Sequence, residues 1–405
     1  MMKNSSSDNS RKHLWWCNLH HIVNDGYVAS LSLLLPFIAV DLGLDYTASG
    51  LLKTIHYGAI CVAQLPAGFL AERLGAILLL GSGTIIFGLG YAALLVAFSF
   101  PIALLAVFGA GIGGGVYHPV GTGLIADTFT GEKSGKAIGT LNFFGDVGKV
   151  VFPAATGIMI GFVGWRGSCG LLGCAGIAVG IIYLISFGKD IKIQKLRGRK
   201  QDDKPGIPPQ GGLGLGHRLQ KWGIAHPGQF GLYALIGSLD TGIRSAVMAF
   251  LGFLLIRDGI TETNVGWCIS LTFLGGAMGK LICGMPMRKL GAARLIILTE
   301  TLMILGCLAL PHIGNNQALF IFLPLFGFVL NGTSSVLYIG LVPIFTPTRR
   351  SRGYAMYYTL NFIASAFAPI IFGLTGDKWG LDIAFYTAGG AMLLILPLTA
   401  FLRKI

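Results

Sequence analysis

Ionisable side chains interrupt several apolar runs of this chain, and the first such pair is His21 and Asp25. The two residues are four positions apart, so they share one face of a helix. A carboxylate beside an imidazole can hold or pass a proton, because burial favours the neutral acid and pairing favours the carboxylate. The pattern predicts a proton-coupling site at Asp25 and His21. A hydrogen bond that only joins two helices is the alternative.

Two further acid–base pairs have helical spacing. Asp240 precedes Arg244 by four residues, and Asp146 precedes Lys149 by three, so each pair can form a salt bridge along one helix face. Each pair can be a self-neutralising buried ion pair, or a switch in which a substrate or a proton releases one member. We predict Asp240 as a further proton-coupling residue, and Asp146, Lys149 and Arg244 as residues of a substrate cavity.

Three basic side chains in apolar runs are also candidates for that cavity. His118 precedes Pro119, and proline removes a backbone donor and can kink a helix. The ring of His118 therefore faces the cavity or bonds the freed carbonyl. His56 is a second titrating candidate. Lys53 is a cavity candidate whose alternative is to extend its ammonium group to the membrane interface.

Two asparagines recur in the same short sequence. Asn142 and Asn361 each lie in Thr-Leu-Asn-Phe, at 140–143 and 359–362. We include both as cavity candidates, and hydrogen bonding between helices is the alternative role. For the single charges Lys280 and Glu300 we predict structural roles, in which they pair with each other or with backbone groups at the cytoplasmic helix ends.

The elements that carry these residues have membrane-spanning length. The chain has 405 residues, of which 53% are hydrophobic and only 12% charged, and its mean hydropathy is +0.71. A soluble surface needs about 25% charged residues, so most of this surface is expected to face lipid. Runs of about 20 apolar residues predict spanning helices. Twelve are found: 15–40, 49–71, 76–98, 101–126, 137–161, 165–187, 228–256, 264–287, 293–312, 316–343, 354–375 and 382–402.

The net charge of +13 follows membrane topology. Most basic residues fall in loops on one side of the predicted spans, and the other side has only Arg166, Arg257 and Lys378. The basic side is predicted to be cytoplasmic, with both termini there. This distribution argues against a nucleic-acid partner. The predicted organisation is a tail at 1–14, a six-helix bundle at 15–188, a flexible basic linker at 189–227 and a second bundle at 228–405.

An internal repeat relates the two predicted bundles. Gly68-Phe-Leu-Ala-Glu-Arg-Leu-Gly75 is followed 216 residues later by Gly284-Met-Pro-Met-Arg-Lys-Leu-Gly291. At the same offset, Thr47-Ala-Ser-Gly50 aligns with Thr263-Asn-Val-Gly266. Duplicated halves with a solute site between them are a common design of secondary transporters.

This layout resembles the major facilitator superfamily. The resemblance implies an all-α membrane protein with twelve transmembrane helices in two pseudo-symmetric six-helix bundles. It also implies that Gly68, Glu72 and Arg73 form a gate, with Arg288 in the second copy. Arg288 departs from the acidic residue of the motif, and Ala76 and Ile77 depart from its usual basic end.

A narrower resemblance is to the fosmidomycin-resistance-type facilitators, which are regarded as proton-driven exporters. It rests on three segments: His21-Ile-Val-Asn-Asp-Gly-Tyr27, Gly113-Gly-Gly-Val-Tyr-His-Pro119 and Asn142-Phe-Phe-Gly-Asp-Val-Gly148. Asp146 and Lys149 are additions to that pattern. The resemblance implies that Asn24 and Tyr27 line the substrate cavity.

The resulting hypothesis is a proton-coupled antiporter in the inner membrane of a bacterium. It would export a small organic solute, anionic or zwitterionic, by alternating access. A proton-linked importer of an organic anion or metal chelate is one alternative, and a transporter-like sensor or scaffold is another.

No nucleophile–base pair or metal-ligand spacing occurs, so we expect no enzyme activity, no cofactor and no metal. The seven cysteines form no C-x-x-C pair. The expected partners are a small-molecule substrate, protons and membrane lipid, and the expected state is a monomer.

Overall fold

The computed structural model describes residues 2–129, 132–191, 223–346 and 350–402, and these residues are almost entirely helical. No strand occurs among them beyond one isolated bridge between Ile224 and Phe345. The predicted all-helical fold is confirmed. Most of the predicted linker, residues 192–222, lies outside the described ranges.

The described residues before the linker form long helices that largely follow the predicted spans. They are α1 (Met2–Leu42), α2 (Tyr46–Leu74), α3 (Ala76–Leu94), α4 (Phe100–Gly115), α5 (Tyr117–Thr128) and α6 (Glu132–Ser186). The described residues after it form a second series. They are α7 (Pro227–Arg257), α8 (Glu262–Ile282), α9 (Met287–Leu290), α10 (Ala292–Ala309), α11 (Asn316–Leu341), α12 (Arg350–Trp379), α13 (Leu381–Met392) and α14 (Ile395–Leu398).

Ten of the described helical stretches are long and apolar enough to cross a membrane, and the bent helix α2 makes eleven. Its two parts, Tyr46–Gln64 and Pro66–Leu74, meet at 46°. Helix α6 has 55 residues, or about 80 Å at 1.5 Å per residue, against about 30 Å of hydrocarbon. It is broken at Gly164, whose φ is 68°. Counting α6 as two segments makes twelve spans in the described part of the chain.

Glycines with positive φ mark the same breaks in both halves. Gly43, Gly75 and Gly164 have φ of 62°, 91° and 68°, and the residues 216 positions later have φ of 80°, 80° and 94°. These later residues are Gly259, Gly291 and Gly380. An L-residue with a Cβ is strained in this region, whereas glycine is not. The internal repeat therefore extends to backbone conformation as well as to sequence.

A pair of ion bridges repeats with the same offset and with the charges exchanged. Arg166 binds Asp41, and Arg257 Nη1 lies 2.6 Å from Asp382 Oδ1. Position 257 corresponds to 41, and position 382 to 166. Each bridge joins the end of a long helix to the helix that begins after a positive-φ glycine. The contact has been kept in both halves although the acid and the base have changed places.

The chain divides into two compact units. Unit 1 contains Met1–Gly43, Ile55–Gly206 and Glu262–Gly266, and unit 2 contains Leu44–Thr54, Ile207–Thr261 and Trp267–Ile405. The start of α2 is thus grouped with unit 2 and the start of α8 with unit 1. The predicted division into bundles at 15–188 and 228–405 stays a prediction.

Within unit 1, α6 packs along α1 and α3, and α3 packs along α4. Glycines allow these close contacts, because a Cβ on Gly90 would lie 2.6 Å from the Cα of Ala110. Within unit 2, α12 packs along α7, and α10 packs against α11 and α13. There a Cβ on Gly279 would lie 2.9 Å from the carbonyl carbon of Phe328. Small residues at such contacts are typical of helix packing in membranes.

Candidate functional site

Six polar side chains of unit 1, one of them a buried carboxylate, lie together, and we call them the Asp25 cluster. They are His21, Asn24 and Asp25 from α1, His118 from α5, and Asp146 and Lys149 from α6. The Asp25 side chain is 7% exposed. All six had been predicted as site residues from the sequence, and the fold brings them together from three helices.

Lys149 is held between two carboxylates. Its Nζ lies 2.8 Å from Asp25 Oδ2 and 3.3 Å from Asp146 Oδ1. The Lys149 side chain is 27% exposed and that of Asp146 is 20% exposed. The contact with Asp25 has the length of a strong, charge-assisted hydrogen bond, whereas the contact with Asp146 is longer. The cluster therefore holds a cation that has two possible partners and some access to solvent.

Two imidazoles complete the surroundings of Asp25. His21 Nε2 lies 3.4 Å from Asp25 Oδ2, and His118 Nε2 lies 3.6 Å from Asp25 Oδ1. The two rings are 5.4 Å apart and nearly perpendicular. The amide of Asn24 donates to Asp25 Oδ1 at 3.2 Å. The carboxylate is therefore in contact with two imidazoles and one amide, each of which can donate a hydrogen bond to it.

Three of these residues, His21, Asp25 and His118, have the donor set of a transition-metal site. One ligand atom each from His21, Asp25 and His118 lies within 4.8 Å of the others, and two imidazoles with a carboxylate suit zinc-like ions. Sequence spacing did not reveal this set, because His118 comes from a distant helix. The ammonium of Lys149 occupies the same carboxylate at 2.8 Å, and a second cation there would be repelled. A metal ion at these three residues would therefore have to displace Lys149 from Asp25.

Glycines explain why α6 comes close enough to α1 to form this cluster. A Cβ on Gly145 would lie 2.5 Å from His21 Nε2, and one on Gly148 would lie 2.9 Å from the carbonyl carbon of Ile22. The two glycines are three residues apart and so lie on one face of α6. Lys149 follows Gly148 directly, so the closest approach of the two helices sets the position of its ammonium group.

A second polar group lies in unit 2, and we call it the Asp240 cluster. It contains Asp240 and Arg244 from α7, Glu300 from α10 and Thr333 from α11. Arg244 Nη1 lies 3.5 Å from Asp240 Oδ2. Both Asp240 and Glu300 have 0% exposure. The predicted pair Asp240–Arg244 is present, and Glu300, for which only a structural role was predicted, lies beside it.

The guanidinium of Arg244 makes most of its hydrogen bonds elsewhere. Its Nη1 donates to the carbonyl of Leu330 at 3.3 Å, and its Nη2 donates to Thr241 Oγ1 at 3.2 Å. A distance of 3.5 Å to Asp240 is long for a guanidinium–carboxylate contact, which is normally under 3 Å. The Arg244 side chain is 15% exposed, so the guanidinium is a partly accessible member of this buried cluster.

The two repeated asparagines have different surroundings. Asn142 is exposed on α6, one helical turn before Asp146. Asn361 is buried on α12 and accepts a hydrogen bond from Ser238 at 3.3 Å. Asn142 can therefore contact a solute near the Asp25 cluster, whereas Asn361 joins α12 to α7.

Three other predicted cavity residues are buried away from both clusters. The Tyr27 hydroxyl donates to the Leu172 carbonyl, and His56 Nδ1 lies 3.1 Å from the Val107 carbonyl. Lys53 is 1% exposed, so its side chain does not extend to the protein surface as the interface interpretation requires. Tyr27 and His56 join helices within unit 1. A cavity role for these three residues stays a prediction.

The predicted gate residues lie at the ends of short connections. Glu72 and Arg73 are exposed at the end of α2, and a Cβ on Gly68 would meet nothing within 4 Å. Arg288 belongs to α9, and its side chain lies outside the described part of the structure. A gating role for these residues stays a prediction.

Comparison with known proteins adds a family and two named relatives. The sequence profile of the Major Facilitator Superfamily matches residues 21–237 and 230–405. The chain is 33% identical over 153 residues to the probable L-galactonate transporter of Escherichia coli (strain K12), a match covering 38% of this chain and 34% of that protein. It is 24% identical over 311 residues to the probable galactarate/D-glucarate transporter of the same strain, covering 70% and 68%.

The first of these matches thus spans only about a third of the relative's length, and the second about two thirds. Among solved structures, a bacterial homolog of the human lysosomal transporter Spinster superposes with a TM-score of 0.72 at 15% identity. That superposition covers 96% of this chain and 95% of the other. At this identity the likeness supports the fold alone.

Proposed function

This chain belongs to the Major Facilitator Superfamily, and from that premise we propose that it is a proton-coupled symporter of sugar acids. A sugar acid carries one or two carboxylates and several hydroxyl groups. Secondary transport, rather than catalysis, is the activity of this superfamily, and the chain is an integral membrane protein. The substrate class rests on the two named relatives, whose substrates are sugar acids, and on the chemistry of the Asp25 cluster.

One observation carries the proposal: Lys149 has two carboxylate partners and can be released from one of them. Its Nζ is 2.8 Å from Asp25 and 3.3 Å from Asp146. A substrate carboxylate can replace either partner, because lysine offers three donors on a flexible stem. The partial exposure of Lys149 gives the substrate a path to it.

Proton binding and anion binding would then assist each other. A proton on Asp25 removes the negative charge that holds Lys149, and the free ammonium becomes available to the substrate. In return, a bound anion keeps Lys149 away from Asp25 and favours the proton on that carboxyl. Such coupling is reciprocal by thermodynamic linkage. The proton and the anion therefore bind together, which favours symport, the direction of our importer hypothesis.

The remaining residues of the cluster supply contacts for hydroxyl groups. Asp146 accepts hydrogen bonds, and Asn142 and His118 can accept or donate. A site that hydrogen-bonds substrate hydroxyls rejects analogues lacking them, since its polar groups are then left without partners. We infer that these three residues distinguish sugar acids from simple carboxylates. His21 and His118 are the groups that would deliver the proton to Asp25.

The setting of this activity follows the sequence predictions. We propose that the two duplicated halves alternate the access of the site between the two sides of the membrane. We propose that both termini are cytoplasmic, which the basic loops support, and that the protein lies in the inner membrane of a bacterium. The protein would act as a monomer, with its exposed apolar side chains in contact with lipid.

The narrower resemblance to fosmidomycin-resistance-type facilitators supports export by antiport instead. In that case the solute and the proton would move in opposite directions, and Lys149 would be free when Asp25 is deprotonated. The contact between Lys149 and Asp25 argues against antiport. At 2.8 Å, the deprotonated Asp25 is the nearer of the two carboxylates that bind Lys149, and charge-assisted contacts of this length are strong. Export by antiport therefore stays a prediction that the following experiment separates from symport.

The test is uptake of labelled L-galactonate, galactarate and D-glucarate into proteoliposomes with an imposed pH gradient. Symport predicts that a more acidic exterior accelerates uptake, while D-galactose, which lacks a carboxylate, is not taken up. Antiport predicts that the same gradient drives the solute outward. Uptake that ignores the gradient, or no uptake of any of the three acids, would refute the proposal.

Two variants, each with a matched control, test the role of Asp25 in proton coupling and the role of Lys149 in substrate binding. Asp25→Asn should keep counterflow exchange but lose acceleration by the gradient, whereas Asp127→Asn, the same change at an exposed carboxylate of α5, should keep both. Lys149→Gln should weaken sugar-acid affinity by roughly 10- to 100-fold, because a hydrogen bond to a charged group is worth about 1.5–3 kcal/mol. Lys149→Arg retains the charge and should restore part of the affinity. Wild-type coupling in Asp25→Asn would remove Asp25 from the mechanism.

A further inference from the structure

We infer that Glu300 and Asp240 in unit 2 form a buried carboxyl pair that binds one proton, as a site separate from the Asp25 cluster. The inference extends the proposed transport function but does not depend on the identity of the solute. Glu300 lies on α10 and Asp240 on α7. Both helices contact the same turn of α11, because Arg244 donates to the Leu330 carbonyl and Thr333 donates to Thr299, the residue before Glu300.

Two ionised carboxylates have a high free-energy cost at this buried position. Glu300 and Asp240 both have 0% exposure. None of their four carboxylate oxygens has a hydrogen-bond partner among the described residues. A buried charge needs partners, because it has lost its hydration, and two carboxylates sharing one site cannot both ionise readily. A shared proton removes one of the two charges.

The local cations do not neutralise the pair. Arg244 is the basic group that acts on Glu300, and it lies 3.5 Å from Asp240. One guanidinium can balance one carboxylate. Its shorter contacts go to the Leu330 carbonyl and to Thr241. A single positive charge facing two acids leaves a net negative charge, which one proton cancels.

The hydroxyl of Thr333 uses its hydrogen away from Glu300. It donates to Thr299 Oγ1 at 2.7 Å, and Thr299 donates to the Leu295 carbonyl at 3.0 Å. An ionised Glu300 therefore receives no hydrogen bond from this hydroxyl.

Among the residues that the structure describes, the other titratable groups that act on the pair carry no positive charge. Cys307 lies on the same helix as Glu300 and interacts with it, and Tyr357 on α12 interacts with Asp240 and Arg244. A thiol and a phenol near neutral pH are uncharged, so neither balances a carboxylate. The proton can reach the pair from the side of Arg244, whose side chain is 15% exposed.

The test is infrared spectroscopy of the purified full-length protein without any sugar acid, titrated in pH in sodium-free buffer. A protonated buried carboxyl gives a carbonyl stretch at higher frequency than a carboxylate, and this band shifts in D₂O. We expect such a band, and we expect carbon-13 labelling of glutamate or aspartate to assign it to one member of the pair. Glu300→Gln and Asp240→Asn should each remove it. Glu262→Gln, at an exposed acid at the start of α8, should retain it.

Two results would overturn the inference. One is the absence of a carboxylic band that shifts in D₂O in the wild-type protein at every pH where it stays folded, which needs no variant. The other is loss of the band when sodium replaces choline in the buffer, which would make the pair a sodium site. Because no sugar acid is present, failure of the sugar-acid proposal leaves this result unchanged.

Discussion

Substituting Gly148 by alanine tests whether the close approach of α6 to α1 builds the Asp25 cluster. A Cβ at this position would lie 2.9 Å from the carbonyl carbon and the Cα of Ile22, and closer still to the carbonyl oxygen of that residue. Ordinary contacts of a Cβ begin at 3.4 Å, so the helices must separate by at least 0.5 Å at this point. The obstacle is backbone rather than the end of a flexible side chain, so local rotation cannot relieve it.

The displacement acts directly on the coupling pair. Lys149 follows Gly148, and its Nζ now lies 2.8 Å from Asp25. A separation of 0.5 Å would lengthen the contact to about 3.3 Å, beyond the usual range for a charge-assisted hydrogen bond. Overpacking of this kind costs about 1–3 kcal/mol. We expect Gly148→Ala to lower the thermal stability in detergent and to reduce the effect of a pH gradient on uptake.

Gly139→Ala is the matched control on the same helix. A Cβ on Gly139 would meet nothing within 4 Å, so alanine there should stabilise the protein by about 0.5–1 kcal/mol through its better helix propensity. The measurements are the unfolding temperature and gradient-driven uptake of both variants. If Gly148→Ala matched the wild type in both measurements, the contact between the helices would not set the geometry of the cluster.

Two further predictions concern contacts repeated or shared between segments of the chain. Each single change, Arg257→Asp or Asp382→Arg, should cost about 0–1 kcal/mol and lose its effect in high salt. Reversing the bridge in the double variant should recover part of that loss, since the first half carries the reversed charges at 41 and 166. The recovery is incomplete because Arg257 also binds Asp258 at 2.9 Å. A double variant less stable than both single variants would contradict the equivalence. Asp377 accepts the backbone N–H groups of Tyr46 and Thr47, each at 2.8 Å, at the start of α2. Asp377→Ala should therefore lower the free energy of unfolding by about 1 kcal/mol, measured by chemical denaturation, whereas Asp377→Asn should lower it by less. Equal losses in the two variants would refute the capping role.

Much of the fold follows from local properties that the sequence displays directly. Apolar runs of spanning length predicted twelve helices, and the repeat of Gly68–Gly75 at Gly284–Gly291 predicted the duplication. The structure extends this repeat, because the positive-φ glycines and the exchanged bridge Arg257–Asp382 follow the same offset of 216 residues. A comparison of residue types misses that bridge, since the acid and the base have changed places.

The candidate site was only partly visible in the sequence. Helical spacing paired His21 with Asp25 and Asp146 with Lys149, since such pairs lie on one helix face. Spacing could not show that Lys149 reaches Asp25, which is 124 positions earlier, because that contact depends on how α6 packs on α1. In the same way, Glu300 looked solitary in its apolar run, and its neighbour Asp240 comes from another helix.

Local sequence features are sufficient to identify this chain as a duplicated bundle of membrane helices with ionisable groups in its spans. Hydrophobic length, basic loops and glycine positions act over one helix or one turn, and they can be detected without tertiary contacts. The tertiary structure alone decided which ionisable groups meet: Lys149 with Asp25 in one unit, and Glu300 with Asp240 in the other. The physical reason is that a buried charge is balanced by whatever lies within a few ångströms, and packing between distant segments chooses that neighbour.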